Sequence, residues 1–156
     1  MNSLAEWLNL PNGSRCNFYR LFLATLLAGC FQLVDDDPDF VATTKMVLES
    51  RSDYQVFMAS DGVFALLTAK AEKPDLIILD VLMPFEDGFA AARQLKADPE
   101  LCKIPIIILT SFSQRIGETD VSIAQGMDIE AEDYVEKPVS PQELLRRVDK
   151  LLKEGK

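Results

Sequence analysis

Four clusters of polar side chains, each directly after a short apolar run, have types that could do chemistry together: Asp35-Asp36-Asp37, Asp80, Thr110-Ser111 and Lys137-Pro138. Carboxylates bind hard cations through oxygen and attack as nucleophiles without first losing a proton. Hydroxyl and ammonium groups neutralise charge on a transferring oxyanion. Histidine is absent, so catalysis that needs an imidazole base is excluded. The cysteines, Cys16, Cys30 and Cys102, are odd in number and scattered, a spacing that suggests neither a disulfide framework nor a zinc site.

Residues so distant in sequence act together only if the fold gathers them. From Cys30 onward, apolar runs alternate with segments of helical period, the pattern of strand-helix units around a parallel sheet covered on both faces. Five strands are predicted: Phe31 to Val34, Gln55 to Ala59, Leu76 to Leu79, Ile104 to Leu109 and Asp133 to Val135. The third and fourth are almost wholly aliphatic, as buried central strands should be.

Between them, Asp37 caps a helix with Pro38 in its first turn and Phe40, Val41, Thr44, Val47 and Leu48 along one face. A second helix follows Ser60-Asp61-Gly62 and is expected to bury Phe64, Ala65, Leu66 and Ala69; a third runs from about Phe89 to Lys96. Ser140-Pro141-Gln142-Glu143 reads as a capping box, followed by a stripe of Leu144, Leu145, Val148, Leu151 and Leu152. All four polar clusters therefore fall at the C-terminal ends of strands, and in an open parallel sheet those ends surround one crevice.

The chain of 156 residues suits one compact domain with little left for a separate output domain, and 48% hydrophobic residues are enough to bury a core. A net charge of -9 disfavours direct contact with nucleic acid. Residues 1–29 are read as an N-terminal extension (a helix, a signal-like segment or a start placed too far upstream) and 30–156 as the domain. The apolar run Phe18 to Val34, broken by Arg20, Thr25 and Gln32, is too short and interrupted for a membrane span. Leu27-Ala28-Gly29-Cys30 matches a lipobox, which makes a lipoprotein-like N-terminus on Cys30 the alternative to a cytoplasmic protein.

Leu33-Val34-Asp35-Asp36-Asp37-Pro38, Leu79-Asp80-Val81-Leu82-Met83-Pro84 with Asp87-Gly88, Leu109-Thr110-Ser111 and Tyr134-Val135-Glu136-Lys137-Pro138 together resemble the response-regulator receiver family of two-component signalling, over about Phe31 to Leu152. The resemblance implies a flavodoxin-like, doubly wound α/β fold with a five-stranded parallel sheet in the order 2-1-3-4-5. It implies that Asp80 accepts a phosphoryl group from a sensor histidine kinase or a histidine phosphotransfer protein, and that the chain signals to a downstream protein by changing shape. Mg²⁺ would be held by Asp36 and Asp80, by Asp35 mainly through water, and by the backbone carbonyl of Leu82. Lys137 and Thr110 would contact phosphoryl oxygens, and Thr110 with Tyr134 would form the switch. The family's Lys-Pro bond is usually cis.

Leu82, Ser111 and Phe112 would flank the phosphoryl group, and the apolar Leu82 and Phe112 are expected to leave attacking water poorly oriented, giving a long-lived acyl phosphate. Phe112 to Glu132 departs from the pattern: it is long and lacks a clean helical stripe, so an atypical fourth-helix region is expected. The oligomeric state and partner surface do not carry over from the family. Two other readings remain open: a degenerate receiver that binds partners without phosphorylation, and an aspartyl-phosphate hydrolase, although Leu82 stands where the latter needs a second Asp.

Overall fold

The computed structural model describes residues 29–83, 86–111, 129 and 131–154. In chain order these form β1 (Gly29–Val34), α1 (Pro38–Leu48), β2 (Tyr54–Ala59), α2 (Gly62–Glu72), β3 (Leu76–Asp80), β4 (Leu82–Met83), β5 (Glu86–Asp87), α3 (Gly88–Ala97), β6 (Ile106–Thr110), β7 (Asp133–Glu136) and α4 (Pro141–Glu154). The long strands form one sheet, order β2-β1-β3-β6-β7, and every pairing in it is parallel. With the two-residue antiparallel pair β4-β5 set aside, this is the predicted 2-1-3-4-5.

Alternation along each strand sends successive side chains to opposite faces, so a strand covered on both sides must be apolar throughout. Val34, Ile77, Leu79, Ile106 and Ile108 pack on the face of Ala65 and Ala69 of α2 and Ala92 and Leu95 of α3. Phe31, Leu33, Ile78, Ile107 and Leu109 pack on the other, against Val41 and Leu48 of α1 and Leu144 and Val148 of α4. Leu76, Ile77, Ile78 and Leu79 have no exposed surface, and each such aliphatic side chain stabilises the fold by roughly 1.5–3 kcal/mol relative to exposure.

Several expectations are corrected. The fourth long strand starts at Ile106, not Ile104, because Pro105 has no N–H to extend the ladder; its carbonyl accepts from Ile77 N–H at 2.9 Å instead. Phe64 is not buried: Gly62, Ala65 and Ala69 turn inward, and Phe64, on the opposite side of α2, is 58% exposed. The box at Ser140 is half formed. Glu143 N–H donates to Ser140 Oγ at 3.2 Å, but the Glu143 carboxylate turns to Arg146 and Arg147, which hold its pKa down at about 2.

β1 begins at Gly29, inside the segment read as an extension. Cys30 conflicts with the lipidation reading: it is the second residue of β1, wholly buried, with its N–H on Asp75 Oδ2 at 2.9 Å. Its sulfur is disulfide-bonded, which the cysteine spacing did not suggest, while Cys102 is a free thiol. Among the described residues, no helix is long and apolar enough to cross a membrane. The readings of residues 1–28, of Phe112 and of nearly all of Phe112 to Glu132 lie outside the described residues.

Candidate functional site

The strand ends supply the site. Past β1, Asp37 is the N-cap of α1, its Oδ1 accepting from Asp39 N–H at 3.0 Å and Phe40 N–H at 3.2 Å. Capping by Asp37 leaves the two aspartates before it for other work. Asp35 is buried, with Oδ1 accepting from Asp37 N–H at 2.9 Å, whereas Asp36 is exposed. Asp80 ends β3, also buried, with Oδ1 accepting from Leu82 N–H at 2.8 Å.

From beyond β7, Lys137 reaches both buried carboxylates. Its Nζ donates to Asp35 Oδ2 at 2.5 Å and to Asp80 Oδ2 at 2.7 Å. Its backbone N–H donates to Thr110 O at 2.7 Å, tying the ends of β6 and β7 together, and the Lys137–Pro138 bond is cis. One carboxylate oxygen each from Asp35, Asp36 and Asp80 lies within 4.8 Å of the others. The predicted convergence of Asp35, Asp36, Asp80 and Lys137 is therefore observed.

The electrostatics follow from burial and neighbours. Burial pushes the Asp35 pKa up, and its bond and charge interaction with Lys137 offset only part of that. For Lys137, burial works toward a lower pKa, but the two aspartates outweigh it and the ammonium is held above its ordinary value. Three carboxylates face one ammonium, so the ionised site carries an excess of two negative charges, the complement of a divalent cation held through oxygen.

Thr110 Oγ1 is buried with no hydrogen-bond partner, and Ser111 beside it is half-buried. A buried unmatched hydroxyl costs about 1–3 kcal/mol and is a donor in waiting. Tyr134 faces outward, 43% exposed, its hydroxyl donating to Ile129 O at 2.6 Å. Gly88 is tightly packed. A Cβ there would stand 2.5 Å from Val81 Cα and 2.6 Å from Asp80 O, so the start of α3 closes directly on the turn after Asp80. Sequence reasoning missed one contact: the Phe40 ring lies beneath Lys137, its centroid 4.5 Å from Nζ. Helical spacing had marked Phe40 only as a core residue.

The response regulator receiver domain family matches residues 31–149. The chain belongs to that family. Among relatives, the alkaline phosphatase synthesis transcriptional regulatory protein PhoP of Bacillus subtilis is 39% identical, over 78% of this chain and 47% of its own length. Protein PilH of Pseudomonas aeruginosa is 38% identical over 77% of this chain and 94% of its own length. This receiver chain thus spans about half the length of the transcriptional regulators it matches and nearly all of PilH. A solved receiver domain of a sensor histidine kinase from Pseudomonas aeruginosa, with magnesium ion coordinated in the active site cleft, superposes with a TM-score of 0.67 at 26% identity, covering 80% of this chain and 98% of that one.

Proposed function

We propose that this receiver takes a phosphoryl group on Asp80 from phosphohistidine of a sensor histidine kinase or histidine phosphotransfer protein, with Mg²⁺, and signals to a partner protein by a change of shape. The observation that carries this reading is Lys137 Nζ bonded to Asp35 and Asp80 at once, with the exposed Asp36 carboxylate beside them. Asp36, Asp80 and, through water, Asp35 would hold the cation, with the Leu82 carbonyl; bound Mg²⁺ supplies charge neutralisation of the transferring phosphoryl oxygens.

The protein's own part is positioning. The Leu82 N–H bond orients the Asp80 carboxylate, which needs no base to attack. The P–N bond of phosphohistidine breaks as the P–O bond to Asp80 forms, and the released imidazole takes up a proton. Lys137 exchanges a carboxylate oxygen for a phosphoryl oxygen, and the unpartnered Thr110 hydroxyl gains an acceptor. Movement of Thr110 toward that acceptor opens room for Tyr134 to turn inward, a population shift that must break its bond to Ile129 O. The chain is no enzyme toward other substrates, and it works in the cytoplasm, where kinases draw on ATP.

Acetyl phosphate with Mg²⁺, followed by mass spectrometry, tests this. One acid-stable, base-labile phosphoryl addition is expected in the wild type and none in Asp80→Asn. No addition to the wild type would instead identify a phosphorylation-independent interaction module, and rapid multiple turnover a hydrolase.

A further inference from the structure

Lys137 has a third neighbour besides its two carboxylates, the face of Phe40. That placement is a consequence of how α1 starts. Asp37 caps the helix and binds Phe40 N–H, so the turn that delivers Asp35 and Asp36 to the site also fixes the root of the ring. The ring is half-buried, and Val139, two residues past Lys137, lines the same core face. An aliphatic side chain could fill this space, but only an aromatic face offers an ammonium the negative side of a quadrupole.

We propose that Phe40 is a positioning residue for Lys137: the face of the ring holds the ammonium and keeps it aimed at Asp35 and Asp80, ready for a phosphoryl oxygen. A lysine stem has several rotatable bonds and a strongly hydrated head, so left to itself it samples solvent. The ring removes that freedom without taking up a hydrogen-bond donor that the phosphoryl group needs. The effect on phosphorylation rests on the proposed reading of Asp80; the contact itself does not.

Mono-, di- and trifluorinated phenylalanine at position 40 of the full chain keep the shape of the ring while weakening its face stepwise, and Phe40→Leu removes the face. Two quantities are read in each protein: the chemical shift of the Lys137 ammonium protons, and the rate of Asp80 phosphorylation by acetyl phosphate at saturating Mg²⁺. We expect the wild-type ammonium protons to be shifted upfield by the ring current and Phe40→Leu to lose that shift. The rate should fall with each fluorine, by about threefold to tenfold across the series, as fits a partly desolvated cation–π contact. Ammonium protons equally placed in wild type and Phe40→Leu would overturn the contact. A flat rate series with the contact intact would overturn the positioning role. Absence of any phosphorylation in the wild type would fault the reading of Asp80, and the resonances across the fluorine series would then decide the case of Phe40 alone.

Discussion

At the rim where the strands begin, opposite charges and hydrogen bonds are matched around Asp149 and Glu132. Arg51 donates to Asp149 at 2.9 Å and Tyr54 hydroxyl to the other oxygen of the same carboxylate at 2.5 Å. Lys96 bonds Glu132 at 2.9 Å, and Glu132 in turn accepts from Ile106 N–H at 2.6 Å. At the rim where the strands end, the same residue types leave three carboxylates around one ammonium and a buried hydroxyl unmatched. Matched charges fasten helices to a sheet; a surplus on two buried carboxylates costs stability until something arrives to offset it. The contrast separates charges that fasten the fold from charges gathered in surplus at the candidate site.

The contrast can be broken most sharply at Lys137. In Lys137→Met, Asp35 and Asp80 lose their cation while remaining buried, and denaturation at neutral pH without metal should show a loss of about 3 kcal/mol. Burial already raises the Asp35 pKa and the variant removes the Lys137 contacts that offset it, so this variant should gain stability as pH falls, before acid unfolding of the rest begins. A variant as stable as wild type in the absence of metal would mean the rim holds no such surplus.

Next in size is the metal response. Mg²⁺ at a hundred times its dissociation constant should stabilise the wild type by about 2.7 kcal/mol, and Asp36→Asn should weaken that response. Equal shifts in melting temperature for the two proteins would remove Asp36 from the site. Gly88→Ala should follow at about 2 kcal/mol, the range of an overpacked contact, since the atoms it meets are backbone and cannot swing aside. On the proposed reading of Asp80 it should also slow phosphorylation; unchanged labelling would show that the turn after Asp80 tolerates the shift.

The smallest effect belongs to the opposite rim. Tyr54→Phe should cost about 1 kcal/mol by removing a hydrogen bond to Asp149, and should leave the Mg²⁺ response untouched. Burial first, and then Asp149, raise the Tyr54 pKa, so the folded state keeps the phenol protonated where the unfolded chain ionises. Wild-type stability should therefore fall as pH rises past about 10, and Tyr54→Phe should flatten that slope. A change in metal response in this variant would show that the two rims are coupled.

The sheet was legible because its signals are local. Wholly aliphatic runs such as Leu76 to Leu79 require burial on both faces, and Asp37-Pro38 starts a helix wherever it stands. Errors arose where a neighbour decided. Phe64 looked like core by spacing, but the alanines beside it set the close approach of α2 to the sheet and left it outside. Glu143 had the right position for a reciprocal cap and found two arginines instead.

The same division holds at the site. Residue types alone nominated Asp35, Asp36, Asp80, Thr110 and Lys137, because a strand end in a parallel sheet has only one rim to face. Only the tertiary structure decided that Asp35 is buried while Asp36 is exposed, that Lys137 spans two carboxylates over the ring of Phe40, and that Gly88 abuts Asp80. The physical reason is range. Hydrophobic period and capping act within a few residues of chain, whereas burial, ion pairing and steric contact depend on which distant segments share a few ångströms of space.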